Sequence, residues 1–183
     1  MLNDGNTQNL PSVYVDPTVE LQSYFGRVGF NYLDKYLVSA TIRADGSSKF
    51  GSNNRYGYFP SVSARWAISN EDFMKNSNIF SNMALRASWG ITGNQEFPAG
   101  AAQILYVLNG SNPASFGQAQ IANPDLKWEK TNQKDIGLEF AVLNNRLSGE
   151  VDYYHKKTTD LLLFVNIPST TGYQTILQNL GSM

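Results

Sequence analysis

The chain has 183 residues with fourteen basic and fifteen acidic side chains, no cysteine, fifteen glycines, ten Tyr, ten Phe and three Trp. Near-balanced charge gives no bulk attraction for nucleic acid or anionic lipid, and the missing cysteines exclude disulfides and Cys-based zinc sites. No apolar run approaches the roughly 20 residues of a membrane helix; the longest, 104–108 and 161–165, are far shorter.

Residues 1–19 are polar and rich in Asn, Pro and Thr, and read as an extracellular loop. Strict alternation then begins. Tyr24, Val28, Phe30 and Tyr32 share one parity, while Arg27 and Asn31 take the other. After a turn at 33–35, Tyr36, Val38, Ala40 and Ile42 alternate with Ser39, Thr41, Arg43 and Asp45. A period of two is the strand signature.

A Gly-, Ser- and Asn-rich loop at 46–58 leads into a third strand, with Pro60, Val62, Ala64 and Trp66 opposite Ser61, Ser63 and Arg65. The run Asn70-Glu71-Asp72-Phe73-Met74-Lys75 has the composition of a capped helical turn. A fourth strand sets Met83, Leu85, Ala87, Trp89 and Ile91 against Arg86 and Ser88. Residues 92–127 read as a long irregular loop. A fifth strand follows with Ile136, Leu138, Phe140 and Val142 opposed by Asp135, Gly137 and Glu139. A tight turn at 143–146 uses the tolerance of Asn for positive φ. The sixth strand places Leu147, Val151 and Tyr153 against Ser148, Glu150 and Asp152, and residues 159–183 read as loop and the start of another strand.

Six all-β, antiparallel, up-and-down strands of about ten residues suit tilted membrane crossings. Short connections at 33–35, 70–80 and 143–146 alternate with long ones, as in an outer-membrane barrel with short periplasmic turns and long external loops. Arg27, Arg43, Arg65, Arg86, Asp135, Glu139, Glu150 and Asp152 then face the lumen, and Tyr24, Tyr32, Tyr36, Trp66, Trp89 and Tyr153 suit an interfacial aromatic belt. A soluble β-sandwich that binds carbohydrate is the alternative, because a wet sheet face also carries charge.

Several stretches resemble the SusC/RagA family of TonB-linked outer-membrane proteins. They are Arg43-Ala44-Asp45-Gly46-Ser47-Ser48-Lys49-Phe50-Gly51, Asn54-Arg55-Tyr56-Gly57-Tyr58-Phe59-Pro60-Ser61 and Ser63-Ala64-Arg65-Trp66-Ala67-Ile68-Ser69-Asn70-Glu71-Asp72-Phe73. Others are Leu85-Arg86-Ala87-Ser88-Trp89-Gly90-Ile91-Thr92-Gly93-Asn94-Gln95, Asn123-Pro124-Asp125-Leu126-Lys127-Trp128-Glu129, Val151-Asp152-Tyr153-Tyr154 and Asn179-Leu180-Gly181-Ser182-Met183. The resemblance implies a transmembrane barrel of about 22 strands in a Gram-negative outer membrane, plugged by an N-terminal domain. It implies import of an oligosaccharide or peptide, powered through TonB and assisted by a SusD-like surface lipoprotein. Signal peptide, plug and TonB-contacting segment are absent from the 183 residues, and six strands leave unpaired edges in lipid, so the chain is expected to be a segment of a larger barrel.

The remaining motifs favour structure over chemistry. Asp45-Gly46-Ser47-Ser48 lacks the strand–loop–helix context of a phosphate loop. His155, the single histidine, ends a strand, and Glu150 and Asp152 are two neighbours on one strand face rather than a catalytic pair. Neither enzymatic activity nor a cofactor or metal is expected. Asn109-Gly110-Ser111 matches a glycosylation acceptor that a bacterial protein leaves idle. Function is sought in loop 92–127 and just beyond it, where Phe97, Tyr106, Phe116 and Trp128 are candidates to stack on a ligand or meet the lipoprotein.

Overall fold

A computed structural model describes residues 18–51, 53–75, 79–102, 106–109, 115–118 and 121–183. Most of the expected loop at 1–19 lies outside these residues. Six long strands form one antiparallel sheet: β1 (Leu21–Tyr32), β2 (Tyr36–Ser47), β3 (Tyr56–Ala67), β4 (Phe80–Asn94), β7 (Glu129–Val142) and β8 (Leu147–Thr159). Each long strand pairs with the long strand preceding it in sequence, so the sheet is an up-and-down meander. Two short hairpins stand apart, β5 (Tyr106–Asn109) with β6 (Ser115–Gln118), and β9 (Leu162–Asn166) with β10 (Thr175–Asn179).

Registration converts sequence parity into two faces. Phe30 pairs with Val38, Val38 with Ala64, Ala64 with Ala87, Ala87 with Ile136 and Ile136 with Tyr153, giving an apolar row across all six strands. The row Asn31, Leu37, Arg65, Arg86, Gly137 and Asp152 lies on the opposite face. A one-residue slip would exchange the two faces, so the pattern itself pins the register. No second sheet of described residues covers the apolar face: Val28 is 74% and Phe30 63% exposed. A sandwich would bury that face. This sheet does not.

The short connections are defined turns. Leu33 and Asp34 both have positive φ, near 54°, in the three-residue hairpin connection 33–35, where Lys35 N–H donates to the Tyr32 carbonyl at 3.0 Å. Leu143, Asn144 and Asn145 adopt the same left-handed region. The expected helical turn over 70–75 forms, with the Met74 and Lys75 N–H groups both donating to the Glu71 carbonyl at 2.9 and 3.1 Å, but among the described residues it lacks the expected cap at Asn70. A single 3-10 turn occupies Ile68–Asn70 without a side-chain cap, and Asn70 Nδ2 instead donates 2.8 Å to the Asp34 carbonyl, tying this link to the neighbouring turn.

The long connections differ from the sequence reading. β4 runs to Asn94, and the region expected to be irregular contains the β5–β6 hairpin. The tail holds the β9–β10 hairpin, and Thr158 exchanges two backbone hydrogen bonds with Met183, at 2.8 and 2.9 Å, beside the C-terminal end of β8. Both hairpins are too short to show convincing period-two alternation, so the pattern indicates only a strand starting in the tail and neither hairpin as such.

The main buried cluster is displaced to one end of the sheet. Phe50, Phe59, Phe97, Ala101, Ala102, Leu126, Trp128 and Leu177 pack together at the end bearing the long connections. Pairing of β3 with β4 stops at Ser61 and Gly90, whereas β4 continues alongside β7 to Asn94. The Phe59 ring lies against Gly93 of β4, in the space left where β3 and β4 part company: a Cβ on Gly93 would fall 2.1 Å from it.

Candidate functional site

The polar sheet face carries three groups of side chains. The middle of the face is a hollow of about 600 Å³, with Arg27, Ser39, Ser63, Arg65, Ser88 and Asp135 among its lining residues. These come from five adjacent strands, so the sheet curls around its polar face. Small residues occupy the floor, where Gly29, Ser39, Ser63 and Ser88 form a continuous row ending at Asp135. The Ser39 and Ser63 hydroxyls lie 2.8 Å apart.

Toward the short-turn end lies a charge ladder. Arg65 and Arg86 are direct cross-strand partners, as are Glu139 and Glu150, and like charges so placed repel. The diagonal contacts resolve both conflicts. Glu139 sits 3.0 Å from Arg65 Nη2 and 2.9 Å from Arg86 Nε, while Arg86 Nη2 also reaches Glu150 and, at 3.1 Å, Asp152. Gly137 is what lets Arg86 and Asp152 meet, because a Cβ there would stand 2.0 Å from Asp152 Oδ1. Two guanidiniums against three carboxylates leave this part of the wall with a net negative charge.

Toward the long-connection end is a smaller crevice of about 190 Å³, with Ser23, Arg43, Asp45, Asn94, Gln95 and Trp128 among its lining residues. Arg43 Nε donates to Asp45 Oδ1 at 2.7 Å. Among the described residues, Gln95 Oε1 is buried with no hydrogen-bond donor. The volume is below the roughly 300 Å³ of a drug-sized pocket. Sequence reasoning assigned Arg43 to the lumen but missed Asp45, Asn94 and Gln95, whose convergence depends on how far the strand ends separate.

The aromatic candidates behave differently from the expectation. Phe97 and Trp128 are 6% and 5% exposed, buried in the end cluster rather than offered to a ligand. Phe50 holds both, with ring centroids 5.1 Å from Phe97 and 4.9 Å from Trp128, and Phe59 meets Trp128 edge-on at 5.4 Å. Desolvation of these large rings outweighs the display suggested by their polar neighbourhood in sequence. Trp128 Nε1 donates to the Arg55 carbonyl at 3.1 Å, and Lys49 Nζ to the Phe97 carbonyl at 2.8 Å. Tyr106 and Phe116 lie in β5 and β6, and their side chains fall outside the described residues.

Polar side chains stitch the same end together. Asn179 Nδ2 donates to the carbonyls of Lys127 and Asp160 at 2.8 and 2.9 Å, and Asn123 Nδ2 to that of Leu177 at 2.8 Å. At the opposite end, Tyr32, Tyr36 and Trp66 form a ladder of rings with centroids 6.3–6.5 Å apart. Glu71 accepts from Tyr36 Oη at 2.7 Å and Trp66 Nε1 at 3.0 Å, and pairs with Lys35 at 2.9 Å. Among the described residues no group of three His, Cys, Asp or Glu could hold a metal.

Comparison with known proteins agrees with this architecture. The family described as "TonB dependent receptor-like, beta-barrel" matches residues 2–183. TonB-dependent receptor P26 of Formosa agariphila is 44% identical over 90% of the chain, and TonB-dependent receptor SusC of Bacteroides thetaiotaomicron 42% over 89%. In each case the chain spans 17% of the relative's length. A solved structure of the RagAB peptide transporter superposes with a TM-score of 0.84 at 37% identity, over 90% of this chain and 18% of that one. The siderophore receptor PirA from Pseudomonas aeruginosa, at 14% identity and a TM-score of 0.57, shares the fold.

Proposed function

The chain belongs to the SusC/RagA-like family of TonB-dependent receptor β-barrels, and from that premise we propose that it forms part of the wall of an outer-membrane importer. The importer sits in a Gram-negative outer membrane and takes up an oligosaccharide or peptide too large to diffuse. The observation carrying this reading is the separation of faces: an uncovered apolar face along six meandering strands, backed by a curved polar face with a hollow. Lipid accepts the first, and a water-filled lumen accepts the second.

The wall carries no reaction. Its work is to bind and pass cargo, with energy delivered through TonB contacts elsewhere in the whole protein. The crevice of Arg43, Asp45, Asn94 and Gln95 supplies hydrogen-bonding groups near the outer mouth, with the Arg43 and Asp45 charges cancelling. Tyr106 and Phe116, in the long connection beside it, are kept as candidate contacts for ligand or for a SusD-like lipoprotein capping the mouth. The partnership is suggested by the likeness to SusC and to the RagA component of RagAB.

Uptake by cells expressing the full-length transporter tests the reading. Labelled oligosaccharides and peptides are supplied with and without the neighbouring lipoprotein, and in cells lacking TonB. Uptake of one class that needs both partners supports the proposal. A full-length protein that fractionates outside the outer membrane, or uptake indifferent to TonB, overturns it.

A further inference from the structure

The outward parity of β7 and β8 changes character along the strands. On β7 it reads Val142, Phe140, Leu138 and Ile136, then Lys134, Asn132 and Lys130; on β8, Val151 and Tyr153 give way to His155 and Lys157. Lys134 pairs directly with His155 and Asn132 with Lys157. Lys157 is therefore diagonal to both Lys130 and Lys134, a separation of about 7–8 Å between backbones. All four cationic or imidazole side chains are exposed. Trp89, on the same face, donates its indole N–H to Asn132 Oδ1 at 3.1 Å, at the level where the apolar band ends.

An ordinary solvated strand face would mix charge signs. This one does not. The carboxylates of these two strands on the inward parity are Glu129, Asp135, Glu139, Glu150 and Asp152, and the outward parity from Ile136 to Lys130 and from Tyr153 to Lys157 carries none. Among the described residues Lys130, Lys134 and Lys157 have no carboxylate within ion-pair distance. We propose that Lys130, Lys134, Lys157 and His155 form a binding site for the phosphate of an anionic lipid headgroup, continuous with the lipid-facing band below it. The inference rests on the membrane-barrel reading above. Lysine stems lie along the apolar wall while their ammonium groups meet the headgroup layer, and a cluster at that depth attracts anionic lipid in proportion to its charge.

The test uses the full-length transporter reconstituted in vesicles of phosphatidylcholine alone or mixed with phosphatidylglycerol. Phosphatidylglycerol retained by the re-extracted protein is counted by native mass spectrometry, and the thermal midpoint is recorded in each vesicle. The wild type is expected to retain phosphatidylglycerol and to melt higher in the mixed vesicles. The combined variant Lys130→Gln, Lys134→Gln, Lys157→Gln is expected to retain several-fold less and to lose the difference in midpoint, while the inward-facing Lys156→Gln keeps both. Inorganic phosphate added to phosphatidylcholine vesicles is expected to leave the midpoint unchanged; a shift equal to that from the lipid would assign the site to free phosphate and overturn the proposal. Equal retention by wild type and the combined variant, or equal loss in Lys156→Gln, also overturns it. If the combined variant does not insert, the single changes at Lys134 and Lys157 are read instead. Wild-type protein that inserts into neither vesicle defeats the membrane reading itself, whereas insertion without lipid preference defeats this inference alone.

Discussion

Glu71 joins a connecting link to the ends of two strands through one carboxylate. Hydrogen bonds from Tyr36, Lys35 and Trp66 hold its carboxyl well below the ordinary 4.5, at about 2. A carboxylate whose acidity is strengthened by folding stabilises the folded state above the ordinary value, and that contribution disappears as the pH falls from 4.5 toward 2. Glu71→Gln is therefore expected to melt below the wild type at neutral pH, with the gap closing across that acid window. Thermal midpoints of the full-length protein across the pH series check this, and a gap independent of pH would deny the charge its role. Gly93 makes a different demand. Its φ is unremarkable; what it lacks is room, because the buried Phe59 ring lies where a Cβ would go. Gly93→Ala is expected to cost about 1–3 kcal/mol through overpacking, and Gly93→Ala combined with Phe59→Leu to recover part of it. Failure of the smaller side chain to rescue the variant would move the clash elsewhere.

At the level of elements, the long-connection end works as a cap built from five separate chain segments. Phe50 lies in one long connection and Phe59 on β3 just after it, Phe97 and Leu126 lie near the two ends of another, and Leu177 comes from β10. Leu126 is fully buried at the centre. Leu126→Ala is expected to cost about 2–5 kcal/mol and to raise hydrogen exchange in residues 48–55, 95–102 and 174–180 together. Exchange that rises around residue 126 alone would show that the segments do not behave as one unit. The six long strands were legible in sequence because each shows strict alternation over about ten residues. The cap was legible only indirectly. Lys49-Phe50-Gly51, Tyr58-Phe59, Leu126-Lys127-Trp128 and Asn179-Leu180 all stand inside the stretches that carry the family resemblance, but sequence spacing does not say that they converge. Phe97 and Trp128 were misread for that reason: aromatic rings among Asn, Gln and Gly look displayed until partners from distant segments close over them. The charges of the polar face were easier to place on one side of the sheet, since parity assigns a common face to Arg65, Arg86, Glu139, Glu150 and Asp152, although their ion pairing depends on diagonal geometry and on the space at Gly137.

Across the whole molecule the decisive physical quantity is which solvent each sheet face meets. The apolar parity extends from Tyr24 to Tyr32, from Tyr36 to Ala44, from Tyr58 to Trp66 and from Met83 to Ile91. Nine residues of strand fall within the roughly 9–11 that a tilted crossing of a bilayer takes. Val62 lies in the middle of that span and Ser61, its immediate neighbour, points the opposite way into the curl of the sheet. A lysine at Val62 would have to reach out of hydrocarbon from mid-depth, so Val62→Lys is expected to destabilise the full-length barrel by about 2–4 kcal/mol. Ser61→Lys places the same charge one residue away, in water, and is expected to stay within about 0.5 kcal/mol of wild type. Reversible unfolding in bilayer vesicles measures both. The contrast is informative because the substitutions share a strand, a depth and an introduced charge and differ only in parity. Comparable costs at the two positions would mean that both faces meet similar surroundings. The separation of lipid from lumen, on which the transport reading depends, would then be lost.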